Sequence, residues 1–177
     1  MSRRLAQGPQ GDAVPADHPS VDAVVAMGAN LGDRAETLAA ALKDLARLPL
    51  VDEVRASHPV ESVAVKPDGP DASAPAYLNA VALVRTRLAP SVLLSYLHAI
   101  EERHGRERRE RWGDRTLDLD LIAYGDLRSD APGLLLPHPR AAERDFVLMP
   151  WLAVDPEAIL PGVGRVDDAL ARLRAAR

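Results

Sequence analysis

Arg111-Trp112-Gly113-Asp114-Arg115-Thr116-Leu117-Asp118-Leu119-Asp120-Leu121-Ile122-Ala123-Tyr124 joins fixed cations to two carboxylates one residue apart. The alternation from Leu117 to Tyr124 predicts a strand, with Asp118 and Asp120 on one face and Leu117, Leu119 and Leu121 on the other. The leucines would anchor that strand to a core. Two residues apart on a strand, the carboxylates lie about 6–7 Å from each other. At an effective dielectric of about 20 they repel by roughly 2–3 kcal/mol, so they call for a counter-charge, a divalent cation or an arginine. An isolated Asp-x-Asp is more often a solvated strand face, and the segment upstream is what sets this one apart.

That segment carries Arg103, Arg106, Arg108, Arg109, Arg111 and Arg115, in a chain whose only lysines are Lys43 and Lys66. Guanidinium presents a planar fork that grips phosphate oxygens in pairs and stays charged at neutral pH. Beside an acidic pair it matches the charge pattern of a nucleotide–metal complex, for which Mg²⁺ is the expected ion. An arginine run can also be a solvated helix end or a nucleic-acid patch. The formal net charge of −4 leaves no excess of cations for the counterion release that drives general nucleic-acid binding, so a small acidic substrate is favoured.

A length of 177 residues suits one domain, able to bury on the order of 70% of its unfolded surface. The chain has no cysteine, which removes disulfides, thiolate zinc sites and thiol nucleophiles and fits a reducing compartment. No signal-peptide-like or membrane-length apolar run occurs, so a soluble cytoplasmic protein with no membrane partner is expected. With aromatic residues at 3%, Tyr77, Trp112 and Phe146 are scarce flat surfaces.

Residues 1–20, polar and holding Pro9, Pro15 and Pro19, are expected to be a disordered tail, with a single domain over 21–177. Val21–Met27 reads as a buried strand and Gly28–Gly32 as a turn. Asp33 with Glu36 begins a helix, striped by Leu38, Leu42, Leu45 and Leu48. Val51–Val63 suggests a strand or strand pair, Lys66–Ala76 a loop, and Leu78–Arg85 another strand. Pro90 opens a helix ending at Gly105. Gly125–Gly133 is a turn region, Pro137-His138-Pro139 a rigid corner, and Val166, Leu170 and Leu173 mark a last amphipathic helix. This mixture, without strict strand–helix alternation, predicts an α+β sandwich with a largely antiparallel sheet.

Neither G-x-x-x-x-G-K-[ST] nor a post-strand G-x-G-x-x-G is present. Phosphoryl transfer asks a protein chiefly for metals across phosphate oxygens, cations on developing charge and an aligned nucleophile. Asp118, Asp120 and the arginines can supply the first two. His138, between two prolines, is a candidate donor to a phosphate or else a structural histidine. An RNA-binding module of similar architecture would need aromatic platforms and a basic face, which this composition does not provide.

Four motifs, in order, carry a resemblance: Gly28-x-Asn30-Leu31-Gly32; Tyr77-Leu78-Asn79-Ala80; Arg111-Trp112-x-x-Arg115-x-Leu117-Asp118-Leu119-Asp120-Leu121; and Pro137-His138-Pro139-Arg140-x-x-Glu143-Arg144-x-Phe146-Val147-Leu148. Together they span residues 24 to about 150, and the chain resembles the 6-hydroxymethyl-7,8-dihydropterin pyrophosphokinases of folate biosynthesis. The resemblance implies a ferredoxin-like αβα sandwich. It implies an ATP-dependent enzyme that moves the β,γ-pyrophosphoryl unit to the pterin hydroxymethyl group and releases AMP; a monomer is expected.

The resemblance makes Asp118 and Asp120 the ligands of two Mg²⁺ ions, with Arg106 and Arg115 also in catalytic roles. It assigns ATP contacts to Glu101, Arg108, Arg111, Trp112, Arg115, Ile122, His138 and Arg144, placing Glu101 and Ile122 near the nucleoside. It assigns pterin contacts to Asn30, Ser62, Val65, Tyr77, Asn79, Trp112, Asp118 and Phe146, with Asn79 reading the amide-like edge and Trp112 and Phe146 flanking the ring. Arg106 and Arg108 fall on a loop expected to close over ATP and exclude water. The chain departs from the family pattern in Val60-Glu61-Ser62-Val63-Ala64-Val65, where an aromatic residue, a Thr and a Pro-x-Gly are usual, and between Gly105 and Trp112, which is one residue shorter.

Overall fold

Antiparallel pairing organises the structure, a computed structural model that describes residues 19–66, 69–105 and 116–176. In chain order the elements are β1 (Val21–Ala29), α1 (Arg34–Ala46), β2 (Val51–Ala56), β3 (Val60–Ser62), β4 (Ala64–Lys66), β5 (Gly69–Asp71), β6 (Tyr77–Thr86) and α2 (Pro90–Arg103). They continue with β7 (Asp118–Tyr124), β8 (Ser129–Ala131), β9 (Leu134–Leu136), a 3₁₀ turn (Ala141–Glu143), α3 (Asp145–Val154), β10 (Ile159–Leu160), β11 (Gly164–Arg165) and α4 (Val166–Ala175). The main sheet runs β2-β6-β1-β7, with β3 also paired to β6, and all of its pairings are antiparallel.

Two helix layers cover this sheet. Leu38, Ala41 and Leu45 of α1 and Leu93, Leu97 and Ile100 of α2 pack with Ala23, Val25 and Met27 of β1 and with Leu117, Leu119 and Leu121 in one core. On the opposite face Val147, Leu148 and Trp151 of α3 and Val166, Ala169 and Leu170 of α4 pack on Val24, Val81, Leu83, Ile122 and Ala123. The result is the expected αβα sandwich, and β1-α1-β2 with β6-α2-β7 gives its ferredoxin-like connectivity. Asp33 caps α1 by accepting from the Glu36 N–H at 3.0 Å. Pro90 opens α2, and Gly105, at φ +82°, follows its C-cap.

A bulge refines the predicted alternation of β7. Val24 pairs with Ala123 but Val25 with Leu121, which leaves Ile122 as the extra residue. Leu117, Leu119 and Leu121 therefore face α1 and α2, while Ile122 and Ala123 both turn toward α3 and α4. The loop expected over Lys66–Ala76 is corrected at its start, where Ala64–Lys66 and Gly69–Asp71 pair as a small hairpin, and holds over 72–76, which form no strand or helix. Gly69, which opens β5, sits at φ +116°, a backbone that L side chains rarely adopt. Leu48, placed in the α1 stripe by spacing, lies past the helix end but still packs on the core. The expected tail lies outside the described residues apart from 19 and 20.

Candidate active site

The α3 side of the sheet changes composition row by row. Ala123, Val24 and Leu83 lie side by side across β7, β1 and β6, and the next row is Asp120, Ala26 and Val81. The row after that is Asp118, Gly28 and Asn79, extended onto β3 by Val60. Strand alternation thus brings an acidic pair and a carboxamide to one end of one face, although 39 positions separate Asn79 from Asp118 in the chain.

Asp118 and Asp120 are both half-buried, and the leucine between them is buried on the opposite face. The Leu119 N–H donates to Glu101 Oε1 at 2.8 Å, so a carboxylate on α2 holds β7 from behind, midway between the aspartates. Asp120 Oδ2 accepts from Arg144 Nη1 at 3.0 Å. The counter-charge required by the acidic pair is therefore an arginine here, delivered by the residue that precedes α3. Arg144 also lies 5.8 Å from the centre of the Phe146 ring, a cation–π distance that couples its position to the aromatic side chain.

His138 is tied to the same strand. Its backbone N–H donates to the Ile122 carbonyl at 2.8 Å, and its Nδ1 accepts from the Arg140 N–H at 3.1 Å. An accepting Nδ1 puts the proton of the neutral ring on Nε2. Burial pushes the imidazole below its ordinary value, with Arg144 and Arg140 acting in the same direction and Asp120 and Asp118 opposing them. His138 is accordingly a neutral Nε2–H donor at pH 7.

A cavity of about 300 Å³ opens beside these groups. Leu94 and His98 of α2 form one wall, Leu119, Asp120 and Leu121 of β7 the floor, and residues 133–136 with His138 and Pro139 the other wall. Glu101 and Ile122, expected near the nucleoside, are 1% and 0% exposed and do not line it. Their side chains belong to the core because α2 and the bulge turn them inward. The α2 wall of the cavity is made by Leu94 and His98, one helical turn apart. That i, i+4 pair was visible in the sequence, but its exposure depended on the β8–β9 hairpin packing opposite.

On the other side of Gly28, Asn79 is 5% exposed and donates through Nδ2 to Ser62 Oγ at 2.8 Å. Ser62 pairs in register with Tyr77, so Ser62, Tyr77 and Asn79 form one cluster on β3 and β6. Asn30 is buried just past β1. Arg34 joins this side without having been singled out: it donates to the Ala76 carbonyl at 2.6 Å and to Glu61 at 2.9 Å, fixing the start of α1 to the segment entering β6. Of the remaining candidates, Val65 lies on β4. Arg106, Arg108, Arg109, Arg111, Trp112 and Arg115 lie outside the described residues.

Among the described residues no group of three or more His, Cys, Asp or Glu side chains converges as a closed metal site. Two hard carboxylates are nonetheless the donor set with which Mg²⁺ is usually held, the ion keeping waters and taking its other ligands from substrate phosphates. Asp118 and Asp120 fit that role.

A sequence model of the 7,8-dihydro-6-hydroxymethylpterin-pyrophosphokinase family matches residues 24–156. The chain is 39% identical over 153 residues to the 2-amino-4-hydroxy-6-hydroxymethyldihydropteridine pyrophosphokinase of Synechocystis sp., covering 85% of this chain and 76% of that protein. It is 40% identical to the Haemophilus influenzae enzyme of the same name, covering 80% and 86%. To the Pseudomonas aeruginosa one it is 42% identical, covering 83% and 88%. Among solved structures, a Plasmodium falciparum HPPK-DHPS bound to pterin and p-hydrobenzoate superposes with a TM-score of 0.65 at 12% identity, covering 89% of this chain and 45% of that one. An HPPK-DHPS in complex with substrates gives 0.67 at 11%, covering 90% and 44%. The chain thus spans less than half of these structural matches, which at such identity speak for the fold alone. With three quarters of its length inside the family match and the motif residues gathered at one end of one sheet face, the chain belongs to the 7,8-dihydro-6-hydroxymethylpterin-pyrophosphokinase family.

Proposed function

We propose that the polar end of the α3 face is where this enzyme transfers pyrophosphate from ATP to 6-hydroxymethyl-7,8-dihydropterin, giving the pterin diphosphate and AMP in folate biosynthesis. One observation carries the assignment of the site: Asn79 and Asp118 flank Gly28 in a single row, while Asp120 in the adjacent row meets Arg144 and the cavity. Two strand spacings put Asn79 and Asp118 about 10 Å apart, room for a two-ring heterocycle with its hydroxymethyl arm at the acidic pair.

The acceptor oxygen attacks the β-phosphorus, the bond to the α,β-bridging oxygen breaks, AMP leaves with that oxygen, and the hydroxyl proton passes to solvent water. Asn79 and Ser62 read the edge of the heterocycle, with Tyr77 and Phe146 as its apolar neighbours. The cavity between α2 and β9 takes the nucleoside, with Leu94 and His98 on one side and Leu134–Leu136 on the other. His138 donates Nε2–H, and Arg144 turns from Asp120 toward the phosphates. Two Mg²⁺ ions held by Asp118 and Asp120 supply charge neutralisation across the triphosphate when bound. Arg106, Arg108, Arg111, Trp112 and Arg115 complete the ATP side.

A monomeric, cytoplasmic enzyme without nucleic-acid partners belongs to the same proposal. The net charge of −4 and the lack of cysteine support it. No described helix is long and apolar enough to cross a membrane.

The test is to incubate the protein with ATP, Mg²⁺ and the reduced pterin and to separate the products. AMP and the pterin diphosphate are expected in equal amounts. Formation of ADP, or AMP release that does not depend on the pterin, overturns the reading.

A further inference from the structure

Gly28 and Gly32 belong to the same short motif, yet they are glycine for different reasons. Gly32 stands at φ +64° with nothing within 4 Å of the place a Cβ would take, so its backbone conformation asks for glycine. Gly28 is not among the described glycines of positive φ, and it lies in regular register between β6 and β7. Its backbone would accept any L residue, and what a larger residue would disturb is the neighbourhood. A Cβ there would stand 3.3 Å from Asn79 Oδ1 and 3.6 Å from Tyr77 Cδ1.

These two side chains are the ones that the acceptor reading uses. Asn79 has little freedom to retreat: it is 5% exposed, and its Nδ2 is committed to Ser62 Oγ at 2.8 Å. Displacing Oδ1 by a few tenths of an ångström rotates the whole carboxamide, because oxygen and nitrogen share one plane. A buried amide that must present donor and acceptor to a flat ligand edge tolerates such a rotation poorly.

We infer that Gly28 is a positioning residue for acceptor recognition: its missing Cβ lets the Asn79 carboxamide settle against β1 in the orientation that selects a flat, amide-edged acceptor. The inference rests on the proposed pterin-side reading of Asn79 and deepens it. Gly28 contributes no contact to the nucleotide cavity, so its effect falls on one substrate only.

The experiment is Gly28→Ala, read by KM for each substrate, kcat and thermal unfolding. The acceptor KM is expected to rise about tenfold, as follows from disturbing one buried hydrogen-bonding group. The ATP KM should stay within about twofold, and the melting temperature should hold or increase, because alanine suits a strand interior better than glycine. In an Asn79→Ala background the same substitution should change the acceptor KM little, since its effect passes through the carboxamide. An unchanged acceptor KM, an equal rise for both substrates, full additivity with Asn79→Ala, or a variant that does not fold would each overturn the inference. Failure of the activity itself is separate, because the wild-type enzyme would then release no AMP.

Discussion

Under α1 and α2 the sheet face is apolar through its central rows up to Ala29, whereas under α3 and α4 the same strands change from apolar to polar within three rows. The central rows of the first face are filled by Ala23, Val25, Met27, Ala29, Ala80, Ala82, Val84, Leu119 and Leu121, all buried. On the second face α3 and α4 bury Val24, Leu83 and Ala123, and beyond Ala26 the row of Asp118, Gly28 and Asn79 begins. Strand alternation is indifferent to which face carries chemistry. The difference arises because two helices cover one face fully and the other only at one end, leaving carboxylates where solvent and substrate can reach them.

The sharpest way to break this comparison is to truncate neighbours that point in opposite directions. Asp118→Ala should lower turnover by at least about a thousandfold, since several kcal/mol of charge stabilisation depend on it, while the melting temperature holds because local repulsion is relieved. Leu117→Ala, one residue away, should cost about 2–5 kcal/mol of stability in a urea titration yet leave the KM values of the folded fraction near wild type. If Asp118→Ala unfolds the protein, the acidic pair is structural and the contrast between the faces disappears.

Removing Arg144 tests the cation supplied to Asp120. Arg144→Ala should weaken ATP binding by roughly 10–100-fold in calorimetry, the range of a charge-assisted hydrogen bond, with acceptor binding much less affected. Asn79→Ala is expected to do the reverse, raising the acceptor KM several-fold more than the ATP KM in steady-state assays. Equal loss of both substrates in either variant would merge the two ends of the polar row into one scaffold.

The smallest expected effect concerns His138. Because burial lowers its folded-state pKa below the ordinary value of 6.5, the unfolded chain binds that proton more readily than the folded protein. The associated stability is therefore present above about pH 6.5 and is lost as the pH falls below it. Melting temperatures measured from pH 7.5 down to 5.5 should decline less in His138→Gln than in the wild type. A parallel decline would show that the ring's protonation is not linked to unfolding.

Much of this was legible before any fold. Leucine alternation placed β7, Asp33 and Glu36 placed the start of α1, and Pro90 with Gly105 bracketed α2, because caps and periods are local properties. The four motifs marked Asp118, Asp120, Asn79, His138 and Arg144. The hairpin of β4 and β5 was missed because loop composition and hairpin composition coincide in so short a segment. Glu101 was placed near the nucleoside, and its position at the edge of the α2 stripe concealed that its carboxylate turns inward to Leu119. Leu94, His98 and Arg34 drew no notice, since each acts through a partner distant in sequence.

By itself the sequence determined the course of β1, α1, β6 and α2, the opposite facing of aspartates and leucines from Leu117 to Leu121, and that an acidic pair in a cation-rich segment needs a counter-charge. The tertiary structure alone decided that Arg144 supplies that charge within the described residues, that a bulge at Ile122 reverses the parity of β7, and that Gly28 separates Asn79 from Asp118. Local patterns follow from backbone geometry, which neighbouring residues fix, whereas meetings across strands depend on register, which only the packed sheet sets.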